Sequence, residues 1–546
     1  MKITYLLSDI QQKILQYNPV ALVREITEQA WRIFLNKGDE LERDHKNSNR
    51  FIRCAPWICF IAIGSDTRTL DNRLLKYKKI NTQTKFKLSY KMEKLLSYKG
   101  LDPLASTFYH IEDNPIEDFR RRFEENIRSG KLESLKLDLQ VKLGEYHIAY
   151  NVYDRLYIGE DVRRWNFEVE AKYSHLPLVR SMLIASQLSN YEELLLDGMP
   201  AKRFHQILNL IVWLFIECRG RFTQDKLYDL LQEKYKDRKS EVDIGSLKSD
   251  IDSLLDKLLC NDINASYKTF EKYLKKNFLY PPYYLNPFYT TPILSQEVGG
   301  IIEYFAPSPY ILILCTGWLF WILVKDEINN NDLGTALHNY ISAFLNHYKT
   351  IHNIDIIDLD KSNGNNSRKD LKKKADFVVE TEHYKIIIEC KNSLGFRTPL
   401  DKNSEDLSSL FNSWNRITKA IEQCNSTKSR LPCENKKIFN LIVVNEVVRG
   451  EAAAYIGFYD TNSFNKLELK WGEFSIISIA QFEYLVASNK LEEFIEECDL
   501  RSRKMVPRPH YDDISKALNI LFDVDLFLPP NYSFWEDGMR RLGINI

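Results

Sequence analysis

Ala375-Asp376-Phe377-Val378-Val379-Glu380-Thr381-Glu382-His383-Tyr384-Lys385-Ile386-Ile387-Ile388-Glu389-Cys390-Lys391-Asn392 is the stretch on which the reading of this chain turns. Tyr384 to Cys390 is rich in β-branched residues and Phe377 to Val379 is apolar, so each reads as a buried strand, with Glu380 to His383 as the connecting turn. A tight turn centred between Glu382 and His383 makes a hairpin in which Asp376 falls directly opposite Glu389. Strand side chains alternate, so Glu389 and Lys391 share that face, while Cys390 points the other way with Ile386 and Ile388, toward a core.

Two carboxylates at a sheet end are costly unless a cation neutralises them, and hard oxygen ligands of this kind suit magnesium or manganese. Asp376 and Glu389 are therefore candidate metal ligands, and the main-chain carbonyl of Cys390 between the functional side chains is a further oxygen. A cation held by so few carboxylates keeps several waters, which suits activation of one as a nucleophile on a phosphate; Lys391 stands where it can orient that water or steady the phosphate. The chemistry implied is phosphodiester hydrolysis. Spacing alone is a weak signal in a chain that is 27% charged, and Glu170-Ala171-Lys172 with Asp154 upstream satisfies it too. The flank of that second candidate, Trp165-Asn-Phe-Glu-Val-Glu170, alternates as a half-exposed strand and lacks the buried hairpin.

The flanks of the hairpin extend the pattern. Asn331-Asp332 can cap a helix in which Leu333, Leu337, Tyr340, Ile341, Phe344, Leu345 and Tyr348 recur at helical spacing. Residues 351–359 read as a first strand. After the hairpin, Leu407, Leu410, Phe411, Trp414, Ile417 and Ile421 form another helical stripe, with Arg416, Lys419 and Gln423 on its opposite face. Ile438 to Val444 and Phe474 to Ile479 read as two more strands.

Motif and element order together resemble the PD-(D/E)xK nuclease superfamily, whose core is the restriction-endonuclease-like α/β fold; the resemblance covers residues 332–485. It implies a magnesium- or manganese-dependent endonuclease acting on DNA, with Asp376, Glu389 and Lys391 catalytic, and by analogy bacterial restriction or phage defence. Many relatives carry a glutamate on the first helix in a Gly-x-x-x-Glu-x-Tyr context. Here Gly334-Thr-Ala-Leu-His338-Asn-Tyr340 has histidine at that place, either a metal ligand or proton acceptor facing the site, or a hydrogen-bonded boundary residue. A DNA repair or recombination nuclease working with a motor protein, and a nuclease-like scaffold that binds without cutting, remain alternative readings.

Between the first strand and Asp376, residues 361–374 hold six basic residues, among them Arg368, Lys369, Lys372, Lys373 and Lys374, against one acidic. A loop of that charge beside such a site meets phosphates, with Asn392, Ser393, Arg397, Arg416, Lys419 and Gln423 as further backbone contacts. The whole chain is no polycation, since Lys plus Arg and Asp plus Glu number 75 each, so any nucleic-acid contact is local. Nine cysteines, odd in number and without a Cys-x-x-Cys pair, point to a reducing cytoplasm and away from structural zinc. No secretory signal is visible in Met1 to Leu15, and Tyr310 to Val324 falls short of the roughly 20 residues that span a bilayer, so it is expected as a buried helix packed on the nuclease domain.

At 546 residues the expected architecture is α/β and multidomain. Residues 1–200 form an N-terminal α/β region for recognition or partner binding, with helix from Asp9 to Asn36 and strand-like runs at Phe51 to Gly64 and Leu135 to Asn151. Residues 201–330 are a helical region with a linker, 331–488 the nuclease domain, and 489–546 a C-terminal extension. The middle region is either three generic packed helices or a winged-helix-like module with Gln224, Lys226, Lys234 and Lys236 facing a groove. The proline-punctuated Tyr280 to Pro292 crosses from it to the nuclease domain. Cutting both strands takes two active sites, so a homodimer or a separate ATPase or methyltransferase subunit is the expected partner besides DNA.

Overall fold

Asn18-Pro19 divides the helical stretch expected from Asp9 to Asn36 into α1 (Ile3–Ile14) and α2 (Pro19–Phe34). Proline lacks the amide that a first helical turn leaves unbonded, and Asn18 Oδ1 accepts from the amides of Val20 and Ala21 at 3.0 and 3.2 Å. The structure, a computed structural model, describes residues 3–35, 45–64, 80–98, 176–238, 242–262, 288, 291–324, 328–352, 354–359, 374–392, 419–431, 436–445, 473–503 and 533–542. Phe51 to Gly64, expected as a strand, is instead part of helix α3 (His45–Gly64). An apolar run of that length exceeds a strand, and because Phe51, Ile52, Trp57, Ile58, Phe60 and Ile61 are all buried, no polar face betrays the helical period. Helices α4 (Thr82–Tyr98) and α5 (Leu176–Ala185) follow, then the two-residue ladder of β1 (Leu195–Leu196) with β2 (Met199–Pro200). The strand expected at Leu135 to Asn151, the candidate at Asp154, Glu170 and Lys172, and most of Tyr280 to Pro292 lie outside the described residues.

The middle region runs α6 (Ala201–Glu217), β3 (Arg221–Thr223), α7 (Gln224–Lys234), α8 (Ile244–Leu258), β4 (Leu259–Asp262), β5 (Ile293–Val298) and β6 (Ile301–Phe305). Its sheet has the order β3-β6-β5-β4, with β6 antiparallel to both neighbours. The region is thus a helix, a strand, two helices and three strands, of which the last pairs with the first strand and β4 runs parallel to β5. Its charges do not match a groove reader: α7 and α8 each hold three acids against two bases. Lys234 lies over the Trp213 ring, and Lys236, Lys248 and Lys257 pair with Glu233, Asp252 and Asp197. The break at Gly220 is a packing constraint, since its φ is +86° and an added Cβ would meet the Trp31 ring at 2.0 Å. Trp31 in turn donates Nε1–H to the carbonyl of Ala306 at 2.8 Å.

Helix α9 (Pro309–Val324) is apolar all round. It packs against α5, with α6 and α2 beside it, and so belongs with the N-terminal helices and not on the C-terminal sheet. Among the described residues no helix is long and apolar enough to cross a membrane.

Helix α10 (Asn330–His352) begins where Asn329 Oδ1 accepts the amide of Asn331 at 3.0 Å, two residues before the expected cap, and it takes Ile351 and His352 from the expected first strand. Its seven expected core residues, Leu333 to Tyr348, are all buried. Then come β7 (Asp355–Asp358), β8 (Phe377–Glu380), β9 (Tyr384–Lys391), β10 (Lys437–Val444) and β11 (Phe474–Ser478), in the sheet order β11-β10-β9-β8-β7. Ile479 opens helix α11 (Ile479–Ala487), followed by α12 (Leu491–Arg503) and α13 (Ser533–Arg541). The β8–β9 register is the one expected: Phe377↔Ile388, Val378↔Ile387, Val379↔Ile386 and Glu380↔Lys385. Thr381 N–H closes the turn on the carbonyl of Tyr384 at 3.0 Å, and Lys385 and Glu380 pair across it at 3.3 Å. β10 is parallel to β9, which requires a crossover, and helical residues 419–428 lie within it. The result is a mixed α/β protein in which none of the seven cysteines with described side chains is in a disulfide.

Buried side chains from Leu7 to Met539 form one continuous core, and a polar knot sits inside it. Arg180 of α5 grips Glu483 of α11 at 2.6 to 2.9 Å, Tyr340 of α10 donates to Glu483 Oε1 at 2.7 Å, and Trp535 of α13 donates to the Tyr340 hydroxyl at 3.2 Å. Burial and the Glu483 charge push the Tyr340 phenol well above its ordinary value, so it remains a donor. Removing one partner of such a pair strands a buried charge at a cost of about 3–5 kcal/mol, whereas removing both costs less. Arg180→Met is accordingly expected to lower the thermal melting temperature by several degrees, and Arg180→Met with Glu483→Gln by less. Equal melting of Arg180→Met and the parent would show that the knot contributes nothing to stability.

Candidate functional site

The sheet delivers three chemical groups to one end because of where β8 begins and β9 stops. Asp376 precedes β8, its amide donates to the carbonyl of Ile388 at 3.0 Å, and its own carbonyl accepts from Leu359 N–H at 3.0 Å. That bond goes to Ile388, the residue Phe377 already faces, so the one-to-one ladder ends at Phe377↔Ile388 and the expected pairing of Asp376 with Glu389 is not formed. Asp376 Oδ2 accepts the Cys390 amide at 2.7 Å, which fixes the carboxylate across the end of β9. Upstream, Ala375 N–H donates to Thr427 Oγ1 at 2.8 Å, tying the strand's approach to helical residues 419–428.

Glu389 is 1% exposed, and Lys391, two residues on, bonds to Glu389 Oε1 through its Nζ, as side chains on one strand face must. Lys391 Nζ also donates to Gln423 Oε1 at 2.8 Å, and Gln423 Nε2 donates to the carbonyl of Lys374 at 3.0 Å. Gln423 is therefore a correction to the expectation that it faces away toward a nucleic-acid backbone: it holds the lysine, because the helix that carries it lies over the Glu389 face and not beside it. Cys424, one residue further, shares a small buried cluster with Ile387 and Ala375. Ile386, Ile388 and Cys390 belong to the main core on the other face, as alternation requires.

Both thiols are pushed well above their ordinary range, first by burial and then by the Asp376 and Glu389 charges. Cys390 thus has no thiolate to offer a cation, and its carbonyl is the donor the sequence reading assigned to it. Asn392 Oδ1 accepts from Asn445 Nδ2 at 3.0 Å at the end of β10, Lys419 is exposed, and Lys374 is half-buried. Arg368, Lys369, Lys372, Lys373 and Arg416 lie outside the described residues, with Ser393 and Arg397.

His338 reaches the same sheet end from α10. Its ring stacks on Phe377 with centroids 4.5 Å apart and planes 16° from parallel. Nδ1 lies 3.7 Å from Asp376 Oδ1, and Nε2 lies 3.4 Å from Asp358 Oδ1. Asp358 was missed in the sequence. An antiparallel meander returns the end of its first strand to the start of its second, and Asp358 pairs with Phe377, next to Asp376. That neighbour relation was legible once 351–359 was read as the first strand.

Among the described residues no three of His, Cys, Asp and Glu already converge at metal-binding spacing. The donor set still fits a hard cation: one buried and one half-buried carboxylate, a peptide carbonyl and an imidazole. No protein-family model, curated protein or solved structure matches the chain.

The raised thiols carry a consequence for reactivity. Thiolate is the reactive form, so Cys390 and Cys424 should label with iodoacetamide far more slowly in the folded protein at pH 8 than in urea, as read by peptide mass spectrometry. Labelling at the unfolded rate would contradict their burial.

Proposed function

We propose that the chain is a metal-dependent endonuclease that hydrolyses phosphodiester bonds in DNA, on a restriction-endonuclease-like core formed by α10 and the β7 to β11 sheet. The observation that carries the reading is that Asp376, Glu389 and Lys391 stand at one end of the β8–β9 hairpin, Asp376 bound by the Cys390 amide and Glu389 by Lys391. Magnesium or manganese would be held by Asp376, Glu389 and the Cys390 carbonyl, with His338 beside them. Such a cation supplies Lewis acidity toward a phosphate oxygen and acidifies a water.

The chain's own residues supply the rest. Lys391 Nζ is steadied by Glu389 and Gln423, so its remaining donor capacity can orient an attacking water or a non-bridging phosphate oxygen without searching rotamers. Glu389 is shielded from solvent, which keeps its interaction with a cation or with Lys391 unscreened. The backbone amide on Asp376 Oδ2 turns Oδ1 toward the His338 side. Recognition of phosphates falls to the basic residues 368–374. Restriction or phage defence is the biological setting this reading favours by family analogy.

Asp376→Ala and Glu389→Ala are expected to abolish cleavage of plasmid DNA with either metal while leaving the circular dichroism spectrum unchanged. Lys391→Ala should slow single-turnover cleavage by roughly 10²- to 10⁴-fold, the range for a lost acid-base or positioning group, with metal affinity retained. Cleavage by Asp376→Ala at the parent's rate in saturating magnesium would remove the site from the reaction.

A further inference from the structure

We propose that Asp358 is a positioning residue that holds His338 in the tautomer whose Nδ1 lone pair faces the cation position; the assignment rests on the nuclease reading of Asp376 and Glu389. Four contacts carry it. The His338 ring is stacked flat on Phe377, which restrains it to that plane or its 180° flip. Phe377 and Asp358 are paired residues of the β8–β7 ladder, so stacking surface and carboxylate are set by one register. Ser342, one helical turn after His338, donates its hydroxyl to Asp358 Oδ2 at 3.1 Å, which turns Oδ1 to the imidazole. The two ring nitrogens then divide: Nε2 lies 3.4 Å from Asp358 Oδ1, and Nδ1 lies 3.7 Å from Asp376 Oδ1.

An ionised carboxylate only accepts hydrogen bonds, and a neutral imidazole carries one N–H and one lone pair. With Nε2–H aimed at Asp358, the Nδ1 lone pair is left on the Asp376 side, where a cation held by Asp376 would satisfy it. The flipped ring would set Cε1–H against Asp358 and a carbon toward the Asp376 side, and the other tautomer would set a lone pair against Asp358. At 3.4 Å the Nε2 contact is an ion-pair distance longer than a formed hydrogen bond, and a few tenths of an ångström close it. A histidine that ligates a metal commonly hands its other N–H to a carboxylate, and loss of that partner lowers metal affinity about 10- to 100-fold. Asp358 has the place, the orientation and a half-buried setting for that partner, on a different strand from the ligands.

The test is manganese affinity of the full chain, measured by electron paramagnetic resonance titration without nucleic acid. Asp358→Ala is expected to weaken binding about 10- to 100-fold. Asp358→Asn, whose amide oxygen still accepts Nε2–H, should recover most of that loss, and Asp358→Ala in a His338→Ala background should add nothing. Parental affinity in Asp358→Ala overturns the proposal. So does a further loss from Asp358→Ala in the His338→Ala background, which would make Asp358 a ligand itself. If Asp358→Ala folds poorly, Ser342→Ala replaces it: it keeps every charge, should weaken manganese in the same direction, and overturns the proposal if it does not. Failure of the parent to bind manganese, or parental binding by Asp376→Ala, would locate the failure in the nuclease reading instead.

Discussion

The register of the β8–β9 hairpin is the constraint from which the candidate site follows. A strand slipped by one residue turns every side chain to the opposite face. In the register observed, Ile386 and Ile388 enter the main core and Glu389 and Lys391 turn toward Gln423. Burial of the isoleucines therefore selects the placement of the charges: a slip would drive Glu389 and Lys391 into the apolar layer under α10 and turn Ile388 toward Gln423, at several kcal/mol for the unpaired charges alone. Apolar packing, not attraction between the polar groups, brings two carboxylates together.

The reading of the hairpin succeeded because its signals are local. Two apolar runs, a four-residue turn and strict alternation determine register without help from distant elements, and the parallel partner β10 was equally plain as a run of buried β-branched residues. The α10 stripe was legible for the same reason. What was not legible depends on burial from several sides at once. Phe51 to Gly64 has no polar face because it is enclosed on every side, so its helical period has no trace in the sequence. Helix α9 could be recognised as buried, but which layer it joins is a matter of long-range packing on α5.

At the site the same division holds. Asp376, Glu389, Lys391 and His338 carried motif spacing and were found together. Gln423 was noticed for the wrong reason, because helical phase alone does not say which face of the crossover helix meets the sheet; contact with Lys391 does. Asp358 has no spacing to the motif at all, and only the meander brings it beside His338.

The site draws its parts from elements that are anchored separately. Asp376, Glu389 and Lys391 ride on the hairpin, Gln423 on the crossover helix, Asp358 on β7, and His338 on α10. Two residues along α10 from His338, Tyr340 is bound to Glu483, which Arg180 of α5 holds from the N-terminal half of the chain. The axial position of α10 relative to the sheet is thus tied to a buried charge pair that reaches outside the sheet region. A catalytic geometry must be kept within about half an ångström. On that scale, the N-terminal helices are part of the frame that aims His338, and a shift of α5 would be felt at the imidazole before it was felt at the hairpin.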